Sequence, residues 1–145
     1  MVVITEQINI KRDKVSVFAF ISNYENDTAW RSGVLEMRQS TKGFTHAGTI
    51  TKEKIKIFGF KSVNTGKVTN YHENTKVDFE VIKGVKGISG YRWVKPANNS
   101  SILEYSLTFD VRGFFAPLIK LLHRSYRKRV RQDLLRVKDI LERNN

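Results

Sequence analysis

The sequence contains no cysteine and only two prolines among its 145 residues. Without cysteine there are no disulfide bonds, no thiolate metal ligands and no cysteine nucleophile, which is compatible with a reducing compartment. No segment approaches the roughly 18 consecutive apolar residues that a membrane-spanning helix needs, and residues 1–14 lack the pattern of a secretory signal. We therefore expect a cytoplasmic protein.

Repeats, low-complexity tracts and Gly/Ser-rich linkers are also missing from the sequence. Hydrophobic residues make up 40% and aromatic residues 11% of the chain, and this is the composition of an ordinary globular domain. A chain of this length buries roughly 70% of its unfolded surface on folding. The expected organisation is a single domain over residues 1–145.

Acidic residues are scarce. The chain has 14 of them against 26 lysines and arginines, which gives a net charge of +12. Residues 112–145 carry ten basic and three acidic side chains, so this segment holds seven of the twelve net positive charges. The end of the chain is therefore predicted to form a cationic element.

The spacing of apolar residues predicts both strands and helices. Residues 2–10 alternate as in a half-buried strand, with Glu6 on the apolar face. A helix is predicted from Asp13, and a second short helix between Tyr24 and Arg31. Further strands are predicted at 34–40, 46–57, 60–71, 76–83, 88–95 and 101–111. Short connections between them predict antiparallel pairing.

From Phe115 to Arg143 the apolar residues follow helical spacing, and Pro117 suits the first helical turn because its missing N–H has no partner there. At about 1.5 Å per residue, such a helix is on the order of 40 Å long. It is therefore predicted to lie across the sheet.

This order of elements, together with several local stretches, resembles a known superfamily. The matching stretches are Ile8 to Ile10, Val17-Phe18, residues 20–23, Trp30, Val34 and Glu36, Gly48, Gly66-Lys67-Val68 and the terminal helix. The resemblance is to the START-related, pollen-allergen-like helix-grip superfamily (SRPBCC), in its polyketide cyclase/dehydrase and lipid-transport branch. It covers the whole chain.

The resemblance implies an α+β helix-grip fold, in which a curved seven-stranded antiparallel sheet wraps around the long C-terminal helix, with two short helices between strands 1 and 2. It also implies an apolar cavity between sheet and helix. The predicted function is binding or transport of an apolar small molecule, lipid-like or aromatic, with no cofactor. The alternative is a polyketide cyclase/dehydrase-type enzyme that uses the same cavity.

Polar residues on apolar faces are candidates for chemistry. Glu6 would have a raised pKa if its strand face were buried, unless it reaches water or pairs with a lysine. Arg129 and Asp133 project within the apolar arc of the last helix, either as a structural ion pair or as a polar anchor for a ligand. In the enzyme alternative, acid, base or orienting roles fall to Glu6, Arg129, Tyr91 and Tyr105.

Large apolar side chains on the predicted inward faces are the candidate ligand contacts, although each is also suited to an ordinary core. They are Trp30, Phe60, Phe79, Tyr91, Trp93, Tyr105, Phe109, Phe115, Leu118 and Leu122. As a set they favour a flat, apolar guest.

Three other kinds of site lack sequence support. His46, His72 and His123 are far apart and show no metal-ligand spacing, so no metal is predicted. No Gly-x-Ser-x-Gly motif suggests a serine nucleophile. The glycines at 84, 87 and 90 do not precede a helix, which argues against a phosphate loop.

Five basic residues share one face of the last helix, turned away from its apolar arc. They are Lys120, Arg124, Arg127, Arg131 and Lys138, and we call them the basic ridge. The ridge is either a solvated outer face or a docking surface for an anionic membrane or RNA. Nucleic acid is the less favoured partner because no recognition motif accompanies the charge.

Overall fold

The computed structural model describes residues 1–113 and 115–143, and the side chain of Phe115 lies outside this described part. The elements are β1 (Val2–Ile10), α1 (Lys14–Ser22), a 3₁₀ turn (Tyr24–Asn26), α2 (Asp27–Trp30), β2 (Val34–Gln39), β3 (Ile50–Ile57), β4 (Phe60–His72), β5 (Lys76–Lys83), β6 (Ile88–Ala97), β7 (Ser100–Phe109) and α3 (Phe115–Arg143).

The strands form one curled antiparallel sheet in the order β1-β7-β6-β5-β4-β3-β2. Strands β2 to β6 each pair with the next strand in sequence, whereas β1 pairs with β7, so β1 and β2 are the two edges. The predicted α+β fold, with seven antiparallel strands, two short helices after the first strand and a long terminal helix, is confirmed.

The predicted helix after Asp13 begins with a side-chain cap. The carboxylate of Asp13 accepts a hydrogen bond from the backbone N–H of Ser16 at 3.0 Å. Hydrogen bonding by the Ser16 side chain and backbone lowers the pKa of Asp13. Such a cap satisfies one of the N–H groups that the first helical turn leaves free. α1 then buries Val17, Phe18 and Ile21 against the sheet.

Strand β3 begins at Ile50, later than the predicted residue 46. His46 and Thr49 bracket a turn, in which the backbone N–H of His46 donates to Thr49 Oγ1 at 3.1 Å and Gly48 has a φ of +94°. This positive φ is easily adopted by glycine but is foreign to a strand.

Pro96, predicted to end a strand, lies inside β6 opposite Ser101 of β7. The backbone N–H of Val94 points toward β5 and donates to the carbonyl oxygen of Thr75. Pro96 is two residues further along the strand, so its ring nitrogen is on the same side. Because β5 begins at Lys76 opposite Trp93, no strand lies beside Pro96 on that side. The proline therefore removes no ladder hydrogen bond.

Helix α3 differs in its two halves. Val130, Leu134, Val137 and Leu141 are buried in the core formed with β1, β7 and α1. The preceding half places partly exposed side chains over the open end of the sheet. Among the described residues, no helix is both long and apolar enough to cross a lipid bilayer.

Candidate functional site

A cavity of about 270 Å³ lies between the concave face of the sheet and the first half of α3. Its walls are mainly aliphatic and aromatic. They are formed by Val2, Ile4, Met37, Ile55, Ile57, Phe58, Phe60, Phe79, Val81, Val85, Ile88, Leu107, Phe109, Leu118, Ile119, Leu122 and Tyr126. Phe58 and Phe60 are themselves exposed, so the cavity reaches solvent at the β3–β4 turn.

Buried charges form the opposite, polar end of the cavity. Arg92 of β6 donates through Nη1 and Nη2 to Asp27 Oδ1 at 2.9 Å and Oδ2 at 2.7 Å. Arg31 bridges Asp27 and Glu53, with 3.0 Å to an oxygen of each. Two cations thus face two carboxylates, so the network as a whole is neutral.

Arg92 is surrounded by aromatic rings. Its guanidinium carbon lies 4.1 Å from the ring centroid of Tyr24, 5.0 Å from that of Trp30 and 5.5 Å from that of Tyr105. Burial by itself would lower the pKa of Arg92, but the Asp27 carboxylate together with Tyr24 and Tyr105 outweighs this effect, and the pKa is raised. Arg92 therefore stays charged inside the protein.

Three donors at this end have no hydrogen-bond partner among the described residues. They are Arg92 Nε, Tyr24 Oη and Trp30 Nε1, all buried. Arg92 and Tyr24 line the cavity, whereas Trp30 does not. Burial raises the pKa of the Tyr24 phenol far above its ordinary value, so the hydroxyl remains protonated. Such unpaired buried donors are rare in folded proteins. Because Tyr24 and Arg92 line the cavity, these two donors mark its polar end as the candidate contact for a ligand oxygen atom.

Five of the predicted ligand contacts line the cavity. These are Phe60, Phe79, Phe109, Leu118 and Leu122. Their contact with a ligand remains a prediction, and the predicted contact of Phe115 falls on a side chain outside the described part.

Trp30 and Tyr105 lie behind the cavity wall. Both are buried, and their rings pack edge to face with centroids 5.5 Å apart. They support the Arg92 guanidinium and are not among the lining residues.

The predicted inward orientation of Tyr91 and Trp93 is wrong. They flank Arg92, whose side chain points inward, so the alternation of β6 places both on the outer face of the sheet. There Tyr91 Oη donates to Glu104 at 2.6 Å, and the Trp93 ring has Lys95 Nζ 4.1 Å from its centroid. The aliphatic stem and the ammonium group of Lys95 thus cover one face of the Trp93 ring on the outer surface of the sheet.

Glu6 is on the inner side of β1, as predicted, but reaches the helix and not the cavity. Its Oε1 accepts from Arg127 Nη1 at 3.1 Å and from Arg131 Nε at 3.0 Å. The carboxylate is therefore a structural ion-pair partner, the simpler of the two interpretations of this residue.

Arg129 and Asp133 are brought together through Ser32 and do not form a direct ion pair. The Ser32 hydroxyl donates to Asp133 at 2.7 Å and accepts from Arg129 Nε at 3.0 Å. Asp133 also pairs with Arg136 at 2.6 Å. Burial raises the pKa of Asp133, against the lowering effect of these bonds. Neither Arg129 nor Asp133 lines the cavity, so the anchor role is not supported there.

The basic ridge has more acidic neighbours than the helix sequence indicates. Glu6 pairs with two of its members, and Lys138 donates to Glu142 at 2.7 Å and to the carbonyl oxygen of Asn9 at 2.8 Å. The tertiary structure supplies these partners because α3 runs along the edge strand β1. Lys120 and Arg124 are exposed and form no ion pair with the described residues. Docking through the ridge remains a prediction.

The most distinctive site residues were missed at the sequence level. They are Tyr24, Asp27, Arg31, Glu53 and Arg92. One signal was available: Arg92 alternates with aromatic neighbours and shares its strand face with Val94, so an arginine occupies an apolar face. Within residues 1–113 and 115–143, no group of three or more histidine or carboxylate side chains has the geometry to hold a metal.

Solved structures with the same fold are distant in sequence. The chain is similar to a protein from Thermus thermophilus (TM-score 0.81, 14% identity, 97% of both chains covered). It is also similar to a START superfamily protein from Mycobacterium smegmatis (0.76, 14%, 99% of both). A third is the di-domain ARO/CYC StfQ from the steffimycin biosynthetic pathway (0.75, 10%, 98% of this chain and 52% of that one).

The fold and the family model together fit a ligand-binding domain of the START/polyketide cyclase type. Among curated proteins, none matches the sequence significantly. The chain belongs to the polyketide cyclase / dehydrase and lipid transport family, whose sequence model matches residues 1–142. The superfamily resemblance seen in the sequence is thereby confirmed.

Proposed function

We propose that this protein binds a compact apolar molecule in its cavity and that Tyr24 Oη and Arg92 Nε donate hydrogen bonds to an oxygen atom of that ligand. The observation that carries the proposal is the pair of buried donors without partners among the described residues, on residues that line a mainly apolar cavity.

Size and charge narrow the ligand class. The 270 Å³ cavity is slightly smaller than the range of about 300–1,000 Å³ for small-molecule sites. Because Asp27 already neutralises Arg92, an anionic ligand would add an unbalanced charge to a buried site, which is costly. A neutral oxygen, such as a carbonyl or hydroxyl group on a ring system or short chain, suits the site better.

The polar end favours binding over catalysis. Proton transfer needs an acid or base that is free to reach the substrate, but Asp27 and Glu53 are both held in ion pairs with arginines. The family description covers cyclases, dehydrases and lipid transport, so it leaves this choice open. In the enzyme alternative, Tyr24 and Arg92 would polarise a carbonyl group, and turnover would stop on loss of either donor.

Native mass spectrometry of the protein as purified is the first test. A bound neutral, oxygen-containing small molecule is the expected finding. Extraction and identification of that molecule would then define the ligand class.

A pair of matched probes tests the role of the donors. We expect 2-acetylnaphthalene, which has a carbonyl oxygen, to bind more tightly than 2-isopropenylnaphthalene, in which a CH2 group takes the place of that oxygen. The net value of one hydrogen bond, about 1 kcal/mol, corresponds to about a fivefold difference in Kd.

Tyr24→Phe should reduce this difference between the two probes, whereas Tyr91→Phe, the same change on the outer face, should leave it unchanged. Equal affinity for both probes in the wild-type protein would contradict the proposal.

A further inference from the structure

The open end of the cavity is also the end of the molecule where several chain segments meet. Strands β3, β5 and β7 all finish there, because the sheet is antiparallel. The N–H of Asp110, just after β7, donates to the carbonyl oxygen of Gly87 in the β5–β6 turn at 2.7 Å. Helix α3 starts at the same end. Residues 56–61, 83–88, 110–113 and 116–120 thus border the cavity mouth, and we call them the rim.

The tip of the β3–β4 turn exposes two aromatic side chains. Phe58 is 42% and Phe60 59% exposed, and both line the mouth of the cavity. The two turn residues, Phe58 and Gly59, have φ values of 51° and 84°. A two-residue turn of this kind favours Asn-Gly or Asp-Gly, and a bulky residue at positive φ is strained. The Arg129 guanidinium carbon lies 5.8 Å from the Phe58 ring centroid, yet Phe58 still combines backbone strain with partial exposure to water.

The rim is strongly cationic. It contains one acidic residue, Asp110. Its basic residues, all exposed, are Lys56, Lys61, Lys83, Lys86, Arg112 and Lys120. None of them forms an ion pair with a carboxylate of the described residues. Such a concentration of one charge attracts an anionic partner.

We propose that the rim docks on an anionic lipid bilayer, with Phe58 and Phe60 inserted among the lipids and the lysines on the headgroups. Exposed apolar anchors beside lysines are the features that hold proteins at a membrane surface. A bilayer fits better than a nucleic acid because the aromatic side chains border an apolar cavity, and insertion would join the cavity to the hydrocarbon region. This goes beyond the proposed function, from which it takes only the position of the cavity mouth.

Vesicle sedimentation tests the docking directly. The two probes are vesicles of phosphatidylcholine and vesicles of equal parts phosphatidylcholine and phosphatidylserine. We expect binding to the anionic vesicles alone, weakening as salt is added. Equal binding to both vesicles would overturn the proposal.

Two charge variants with the same net charge separate the rim from the rest of the surface. The rim variant carries Lys56→Gln, Lys83→Gln and Lys86→Gln, and the control carries Lys42→Gln, Lys52→Gln and Lys67→Gln. A loss of about fivefold for each neutralised headgroup contact predicts roughly a hundredfold weaker vesicle binding for the rim variant. Equal weakening in both variants would show that overall charge alone binds lipid and would overturn docking at the rim.

Aromatic insertion is tested by substitutions at exposed positions, where little effect on folding is expected. Phe58→Ser with Phe60→Ser should weaken vesicle binding at least tenfold, whereas Phe44→Ser, at an equally exposed phenylalanine in the β2–β3 connection, should not. Phe58→Trp should show a blue-shifted emission on anionic vesicles. An unshifted emission would overturn insertion.

The remaining outcomes are also distinguishable. Binding of a single-stranded RNA oligonucleotide that depends on the rim lysines, without vesicle binding, would overturn the bilayer proposal in favour of nucleic acid. Tyr24→Phe should leave vesicle binding unchanged, and the rim variant should leave 2-acetylnaphthalene binding unchanged. Failure of docking and failure of ligand binding are therefore separate results.

Discussion

Arg92 and Asp27 form a two-point ion pair in the protein interior, with side chains 1% and 0% exposed. The pair joins strand β6 to α2, and Arg92 Nη1 also donates to the carbonyl oxygen of Ile21 in α1 at 2.9 Å. A single guanidinium thus holds both short helices against the sheet at the polar end of the cavity.

Asp27→Asn should destabilise the protein strongly. The substitution leaves Arg92 as a buried charge without its counter-ion, for which a cost of about 3–5 kcal/mol is typical. Urea unfolding measures this change in the free energy of unfolding. The control is Glu36→Gln, at a carboxylate paired with Arg38 and Lys54 on the surface, where at most about 1 kcal/mol is expected. Similar losses in both variants would contradict the assigned role of the buried pair.

Leu134 and Leu135 are adjacent on α3 but differ in environment. Leu134 is buried, whereas Leu135 is 57% exposed. Leu134→Ala should cost about 2–5 kcal/mol through lost burial and the cavity that remains, and Leu135→Ala no more than about 0.5 kcal/mol. The two unfolding free energies test which face of α3 packs on the sheet. A larger loss at Leu135 would reverse that assignment.

Tyr91→Phe should change the titration of Glu104. The hydrogen bond from the Tyr91 hydroxyl is the main cause that lowers the pKa of Glu104, with Lys95 adding to it. Because the folded pKa lies below the unfolded value, Glu104 contributes stability above the unfolded pKa. This contribution is lost as the pH falls through the folded pKa.

Removing the hydroxyl should therefore raise the pKa of Glu104. The variant should then lose less stability than the wild-type protein as the pH falls through the range in which Glu104 is protonated. An NMR titration of the Glu104 carboxyl carbon, with unfolding measured at each pH, tests both effects. An identical Glu104 titration in both proteins would refute the interpretation.

Glu6→Gln should loosen the attachment of α3 to the edge strand β1. The Glu6 carboxylate pairs with Arg127 and Arg131, whose side chains are 34% and 62% exposed, so solvent screens both pairs. A loss of about 1 kcal/mol is expected, decreasing at high salt. Urea unfolding at low and high salt measures it. Glu73→Gln, at an exposed carboxylate without an ion pair among the described residues, should have no such salt-dependent effect.

Local sequence signals were sufficient for most of the fold. The alternation of Val77, Phe79 and Val81 in β5, the cap at Asp13 and the helical spacing of α3 each depend on neighbours close in sequence. The boundaries that differ, at Ile50 and Pro96, depend on a turn geometry and on the length of a neighbouring strand. Neither of these is visible in the segment itself.

The candidate site was only partly predictable. Apolar residues such as Phe79 and Phe109 were located correctly because their strands alternate clearly. In β6 the two faces give competing signals, because Tyr91 and Trp93 share one face and Arg92 and Val94 share the other. The aromatic pair was predicted to face inward, and this prediction was wrong. Asp27 is 65 residues away from Arg92 in sequence, so nothing near Arg92 indicates that its charge has a buried partner.

By itself, the sequence determined the order and type of the elements, the antiparallel sheet and the long amphipathic helix, because these follow from side-chain periodicity and short connections. Only the tertiary structure decided which charges are paired, as in Glu6 with the ridge arginines and Arg92 with Asp27. It also decided which aromatic side chains face the cavity. The physical reason is that pairing and burial depend on distances between segments far apart in the chain, and the curl of the sheet sets those distances.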